Sequence, residues 1–333
     1  MNDCLSAAPA APAAPASPVS ATPADAPLDR AGVNPLRDAL IDAGLLIPTG
    51  VQGLFGRSER FERVVEALDA FVTRIGADQQ AEVLRFPPAM SRVEFERSEY
   101  MKSFPQLAGT VHAFCGGEHE QQRVLQCLER GDDWTGSQKP TYVVMTPAAC
   151  YPVYPVVARA GALPGDGRLV DVFSYCFRHE PSLDPTRMQL FRMREYVRIG
   201  TPEQIVAFRR TWMERGARMI DVLRLPNAID LANDPFFGRG GRIVADSQRE
   251  QNLKFELLVP IEHDGRQTAC LSFNYHMDHF GLLWGIRTAT GDVAHTGCVG
   301  FGLERLTLAL FRHHGFDLDA WPRDVRDVLW GDR

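Results

Sequence analysis

The clearest periodic pattern lies in 57–75, where Phe61, Val64, Val65, Leu68, Phe71 and Val72 recur every three or four residues behind Ser58, with Gly76 ending the run. This spacing predicts an amphipathic helix. Residues 117–131 and 202–224 repeat it. Elsewhere the period is two, and β-branched and aromatic residues predominate: 141–146 (TYVVMT), 169–180 (LVDVFSYCFRHE), 189–199 (QLFRMREYVRI), 253–261 (LKFELLVPI) and 268–274 (TACLSFN). These predict strands. The set predicts an α+β fold, an antiparallel sheet flanked by helices. No internal repeat is present, and the glycine-rich turn 238–241 (GRGG) reads as a mobile loop.

Two of the strand runs carry charge. In 170–180 the alternation puts Phe173, Tyr175 and Phe177 on one face, read as core, and Ser174, Cys176, Arg178 and Glu180 on the other, read as polar. Arg178 and Glu180 by themselves fit a solvated pair at a strand end. In 191–199 the residues Phe191, Met193, Glu195, Val197 and Ile199 share a face, leaving one carboxylate in an apolar row. A buried carboxylate requires a cation or a strong donor. Arg192, Arg194 and Arg198 reach it only by bending around the strand.

The segment 297–311 (GCVGFGLERLTLALF) contains Gly300 and Gly302, but Arg305 stands where a dinucleotide fingerprint has its third glycine, so that motif is rejected. What remains is a glycine-rich strand end leading into a helix with Leu303, Leu306, Leu308, Leu310 and Phe311 on its apolar face. Arg305, in the first turn, suits an anion such as a triphosphate, or else serves the carboxylates of its own domain.

Composition adds limits. A chain of 333 residues with 45% hydrophobic residues supports a sizeable core. Residues 1–28, which include AAPAAPAAPASPVSATPADAP, lack the bulky side chains that would offset ordering entropy, so they read as a disordered leader before one unit over 29–333. The leader has no basic start and no uninterrupted apolar segment, unlike a secretory signal. No stretch reaches the ~18 apolar residues of a membrane span. Seven scattered cysteines without a CxxC argue against a disulfide framework and for a reducing cytoplasm. A net charge of -6 without a Lys/Arg block leaves no electrostatic footprint for nucleic acid.

Taken together, FRHE (177–180), FRMREY (191–196) and GFGLER (300–305) resemble, in order and separation, motifs 2 and 3 of a class II aminoacyl-tRNA synthetase core. The run 85–107 (RFPPAMSRVEFERSEYMKSFPQL) resembles its motif 1 and dimer region, with Pro88 at the motif's proline. Cys150, Glu195 and Cys298 resemble the metal ligands of the zinc-dependent seryl-tRNA synthetases of methanogens. Over residues 34–333 the chain resembles more specifically the amino acid:carrier protein ligases, which are built on that core without the large tRNA-binding domain.

The resemblance implies an enzyme that uses ATP to activate a small amino acid, glycine or alanine, as its adenylate and transfers it to the phosphopantetheine thiol of a carrier protein. It implies a homodimer, with neither tRNA nor membrane as partner. Arg178 would be the catalytic residue bridging the carboxylate and the α-phosphate. Glu180 would accept from the adenine amino group, Met188 and Phe191 would contact the base, and Arg187 and Arg305 would hold the β- and γ-phosphates. Lys254 and the strand Ala269, Cys270, Leu271 and Ser272 would complete the ATP site. Cys150, Glu195 and Cys298 would hold one Zn²⁺, leaving a fourth position for the amino group of the substrate. Mg²⁺ would accompany ATP, although Ala269 replaces a carboxylate that helps hold it in ordinary synthetases.

Cys115, Cys127 and Cys176 read as structural thiols, and so does Cys270 on its own residue type. Nothing singles out His276, His279, His313 or His314. Two other functions fit parts of the pattern. A stand-alone tRNA-charging enzyme is opposed by the acidic balance and the missing tRNA-binding domain. A non-catalytic amino acid sensor is opposed by retention of Arg178, Glu180 and Arg305.

Overall fold

The computed structural model describes residues 34–238, 248–249, 251–262 and 264–331. The expected leader, 1–28, and positions 239–241 of the expected loop lie outside the described residues. In chain order the strands are β1 (Leu46–Pro48), β2 (Phe55–Arg57), β3 (Glu82–Arg85), β4 (Ala89–Ser91), β5 (Thr110–Phe114), β6 (Gln138–Met145), β7 (Arg168–Phe177), β8 (Leu190–Gly200), β9 (Ala228–Leu231), β10 (Lys254–Pro260), β11 (Gln267–Met277) and β12 (His295–Gly302).

The fold is built on a seven-stranded sheet ordered β3-β7-β8-β12-β11-β10-β9. Every pair in it is antiparallel except β3 with β7. A three-stranded sheet, β4-β6-β5, and the β1-β2 pair accompany it. The architecture is the α+β arrangement that the pattern predicts. All five predicted runs contain strands, although β7 ends at Phe177, so Arg178 and Glu180 lie beyond the strand rather than on its polar face. The short β3, β5 and β9 are additions, each too brief and too exposed to leave a period-two signature.

One face of the main sheet is covered by the helices Glu59–Gly76, Pro202–Val222 and Leu303–His314. The first starts where predicted: the Ser58 side chain accepts from the Phe61 N–H, Glu59 and Glu62 occupy the first turn, and Phe61, Val64, Val65, Leu68 and Val72 are buried. The second starts with Pro202 behind a Thr201/Gln204 capping box. The third is buried over most of its circumference, from Leu303 to Phe311 with only Arg305 half-exposed, and forms the centre of the larger core. The helix Glu118–Arg130 also forms as predicted, but none of its residues is buried: Leu125 and Leu128 are 50% and 56% exposed.

The other face carries a second core. Val170, Val172, Cys176, Val197, Ile199 and Cys298 of the sheet pack under the helices Val153–Arg159 and His279–Trp284. This corrects the sequence expectation for β7. Ser174 and Cys176, read as a polar row, are 1% and 0% exposed, whereas Phe173, Tyr175 and Phe177 are only half-buried. The reason is that packed elements cover the sheet on both sides, so neither row faces water. Among the described residues no helix is long and apolar enough to cross a membrane.

Candidate active site

The site lies on the second face, where β8, β12 and β11 run side by side. Their register brings distant residues into line: Glu195 faces Gly300, Gly300 faces Ser272, and Cys298 faces Val197 on one side and Asn274 on the other. Cys150 arrives from the turn that precedes the helix Val153–Arg159, with its carbonyl accepting the Val153 N–H. Its own N–H donates to Glu195 Oε1 at 3.2 Å. The ligating atoms of Cys150, Glu195 and Cys298 all lie within 4.8 Å of one another, and all three residues are buried.

Glu195 is therefore the lone carboxylate of an apolar row, as the alternation predicts, and it is 2% exposed. The neighbouring arginines point to the other face. Arg192 pairs with Glu304 at 2.7 Å and with Glu62, while Arg194 pairs with Asp171 and with Asp69 at 2.6 Å. Among the described residues no ammonium or guanidinium is in ion-pair range of Glu195. Burial raises its carboxyl above the usual carboxylate range, against hydrogen bonds from Cys298, Cys150 and the N–H groups of Cys150 and Ala149. The Cys150 thiol is raised by its hydrogen bond with Cys298 and then by burial. For Cys298 the bond with Cys150 pulls the other way, but burial and the nearby Glu195 still raise it. Three potential anions without a cation are costly to bury, and a divalent metal ion would offset that cost. Two thiolates and one carboxylate are a donor set of the zinc type.

The residues expected around ATP lie on β8, β10 and β11, in the segment between β7 and β8, and in the first turn of the helix Leu303–His314. Arg178 donates to the Pro147 carbonyl at 3.2 Å and lies over the Phe191 ring at 5.4 Å. Glu180 accepts from Arg187 at 3.3 Å, so its ion pair is with that residue rather than with Arg178. Arg305 spans the gap between chain segments, donating to the carbonyls of Thr186 at 2.9 Å and Ala269 at 3.0 Å. Burial lowers its pKa. Met188 is 5% exposed, with its sulfur against Arg57. Cys270 and Leu271 are also buried, so the strand meets this surface through Ala269, Ser272 and its backbone. Lys254 is buried as well, and its ammonium lies 2.6 Å from Asp234 and 3.0 Å from Glu256.

Several groups at the site escape the sequence reading. Asp234 holds Lys254, takes Gln248 at 2.8 Å and lies within electrostatic reach of Arg178. His276 is the histidine that reaches the donor set: Nε2 lies 3.8 Å from Cys298 Sγ. Asn274 donates to the same sulfur at 3.3 Å. A signal for these two does exist, because Ser272, Asn274 and His276 alternate along β11 as one polar row. The other histidines have separate roles; His313 and His314 bond the carbonyls of Pro260 and Leu223.

No family model matches the chain. Amino acid–(acyl-carrier-protein) ligase 1 of Bradyrhizobium diazoefficiens is 50% identical over 280 residues, which covers 84% of this chain and 86% of that protein. This chain belongs to the amino acid–(acyl-carrier-protein) ligases. Ligase 2 of the same organism is 48% identical over 88% of this chain and 87% of its own length. The type-2 serine–tRNA ligase of Methanopyrus kandleri is 28% identical over 57% of this chain, a match that spans 38% of that protein. The structure of M. kandleri SerRS in complex with a tRNASec from A. aeolicus superposes with a TM-score of 0.75 at 21% identity, covering 92% of this chain and 64% of that one. Prolyl-tRNA synthetase of Giardia lamblia gives 0.63 at 14% identity, covering 84% and 52%. These two likenesses place the ligase fold among the class II synthetases.

Proposed function

We propose that this chain uses ATP to convert a small amino acid into its aminoacyl-adenylate and then passes the aminoacyl group to the phosphopantetheine thiol of a carrier protein. The observation that carries the reading is the meeting of Cys150, Glu195 and Cys298 on the same sheet surface as Arg178, Phe191 and Ser272, in a chain half identical to a ligase of that name. In the first step a carboxylate oxygen attacks the α-phosphorus and pyrophosphate leaves. In the second the thiol sulfur attacks the acyl carbon, AMP leaves, and the thiol proton is released.

In this reading Arg178 lies between the two reacting anions, its guanidinium set by the Pro147 carbonyl and the Phe191 ring beneath it. Arg187, 52% exposed, and Arg305 face the phosphates that leave. Glu180 takes the adenine amino group once Arg187 has turned to phosphate. Cys150, Glu195 and Cys298 would hold Zn²⁺, which would supply a binding position for a neutral amine. All three residues are buried, which would favour a small side chain at that position and keep water from the adenylate. Mg²⁺ enters with ATP.

Two further parts of the reading concern assembly. We assign the unit over 29–333 to catalysis and expect a homodimer, which is supported by exposed Phe114, Leu125, Leu128 and Tyr142 on the module that follows the motif 1 region. Sedimentation at equilibrium checks this, and a monomer at micromolar concentration would remove it. The chemistry is tested by amino-acid-dependent exchange of pyrophosphate into ATP with all twenty amino acids, with zinc measured on the same sample. Exchange confined to one or two small amino acids, with about one zinc per chain, is expected. Its absence for every amino acid would overturn the reading.

A further inference from the structure

The donor set has an outer layer with its own pattern. Tyr154 is 0% exposed, its ring stacked on Phe280 at 4.2 Å and on Trp284 at 5.6 Å. Among the described residues its hydroxyl has no hydrogen-bond partner, and burial and then the neighbouring Cys150 push it well above the usual phenol range. A buried phenol ordinarily finds an acceptor, and a metal-bound Cys150 thiolate would supply one. On the other side, Asn274 Nδ2 points to Cys298 Sγ at 3.3 Å and to Ser272 Oγ at 3.3 Å. His276 Nε2 lies 3.8 Å from the same sulfur, and its Nδ1 lies 3.1 Å from the buried Thr296 hydroxyl.

With Cys298 as a metal-bound thiolate, which only accepts, His276 would carry its proton on Nε2 and take the Thr296 O–H on Nδ1. The imidazole does not join the three ligating atoms that lie within 4.8 Å of one another. It is a neighbour of the donor set, not a fourth donor.

We propose that Tyr154, Asn274 and His276 are positioning residues that donate hydrogen bonds to the two sulfurs and so set the orientation and charge of the thiolates that hold the metal. The inference rests on Cys150, Glu195 and Cys298 being the metal site. Two thiolates and a carboxylate outweigh a dication by one charge. Three donors on the sulfurs would draw that excess away from a bound metal and leave it able to accept a neutral amine. Each donor is rigidly held: Tyr154 by its aromatic stack, His276 by Thr296 and by the edge of Phe280 at 5.0 Å, and Asn274 by its place in β11.

The test uses the full chain, stripped with a chelator and reloaded with Zn²⁺ or Co²⁺. Zinc affinity is read by competition with a chromophoric chelator, and thiolate donation by the sulfur-to-cobalt charge-transfer band. Tyr154→Phe keeps the ring and removes only the hydroxyl. Asn274→Leu and His276→Phe remove the other donors. Each is expected to lower zinc affinity by roughly tenfold and to shift the cobalt band, with the melting temperature of the metal-free protein unchanged. His276→Gln, which retains an N–H, is expected to recover most of the loss. Wild-type affinity and an unmoved band in both Tyr154→Phe and Asn274→Leu would overturn this inference alone. Failure of the wild-type chain to take up either ion would overturn the metal site as well.

Discussion

Arg192 and Glu304 are joined twice: the Arg192 N–H donates to Glu304 Oε2 at 2.7 Å, and the guanidinium Nε donates to Oε1 at 2.7 Å. The pair ties β8 to the first turn of Leu303–His314, one residue from Arg305. Glu62 and Arg57 complete the cluster. Removing one partner leaves the other charge buried. Glu304→Ala is expected to lower unfolding stability by about 3–5 kcal/mol in urea titration. A loss within experimental error of zero would mean that the cluster does not hold helix to sheet.

Gly300 stands opposite Glu195, and a β-carbon there would lie 3.1 Å from Ser272 Oγ and 3.7 Å from Glu195 Cγ. The Ser272 hydroxyl can turn aside, so Gly300→Ala is expected to fold and to retain metal. Its methyl group occupies space beside the position proposed for the amino acid. The KM for alanine in pyrophosphate exchange is expected to rise by roughly tenfold, and that for glycine by much less. Equal changes for both would place the amino acid elsewhere.

Arg305 already serves two carbonyls, so its guanidinium is fixed before any phosphate arrives. Arg305→Lys keeps the charge and loses the fork. The ATP concentration for half-maximal exchange is expected to rise by roughly tenfold or more, with zinc content unaltered. An unchanged ATP requirement would remove the phosphate role.

Glu262 gives the protein a pH dependence near neutrality. Burial, with Asp184 beside it, holds its carboxyl at about 7, above its ordinary 4.5. A raised folded value means that its stabilising effect is complete below 4.5 and is lost as pH rises through about 7. Asp184 shifts downward, so its effect lies in a separate, more acidic window. The wild-type chain is expected to lose stability between roughly pH 5 and 8, whereas Glu262→Gln should flatten that part of the curve. Parallel melting curves for the two proteins across this range would refute the assignment.

Much of this arrangement was legible in the sequence wherever one element carried its own pattern. Glu195 is conspicuous as a carboxylate in an apolar row, and the β12 turn into Leu303–His314 follows from its glycines and leucines. Cys150 and Cys298 are different. Their meaning lies in a register between strands that no local period encodes, and only the resemblance to a known family singled them out. Asp234 sits in a segment without periodicity, and Tyr154 looks like any aromatic residue in an apolar helix. The inner face of β7 was misjudged because alternation identifies two faces but does not say that both will be covered.

Glu195 and Cys298 are separated by over a hundred residues and meet only through the pairing of β8 with β12. The proposed coordination cage therefore needs β8 and β12 paired, and capture of an ion would follow closure of the sheet. Occupancy in a preparation then counts correctly assembled molecules, and truncation anywhere before β12 should abolish capture however well the earlier strands have folded.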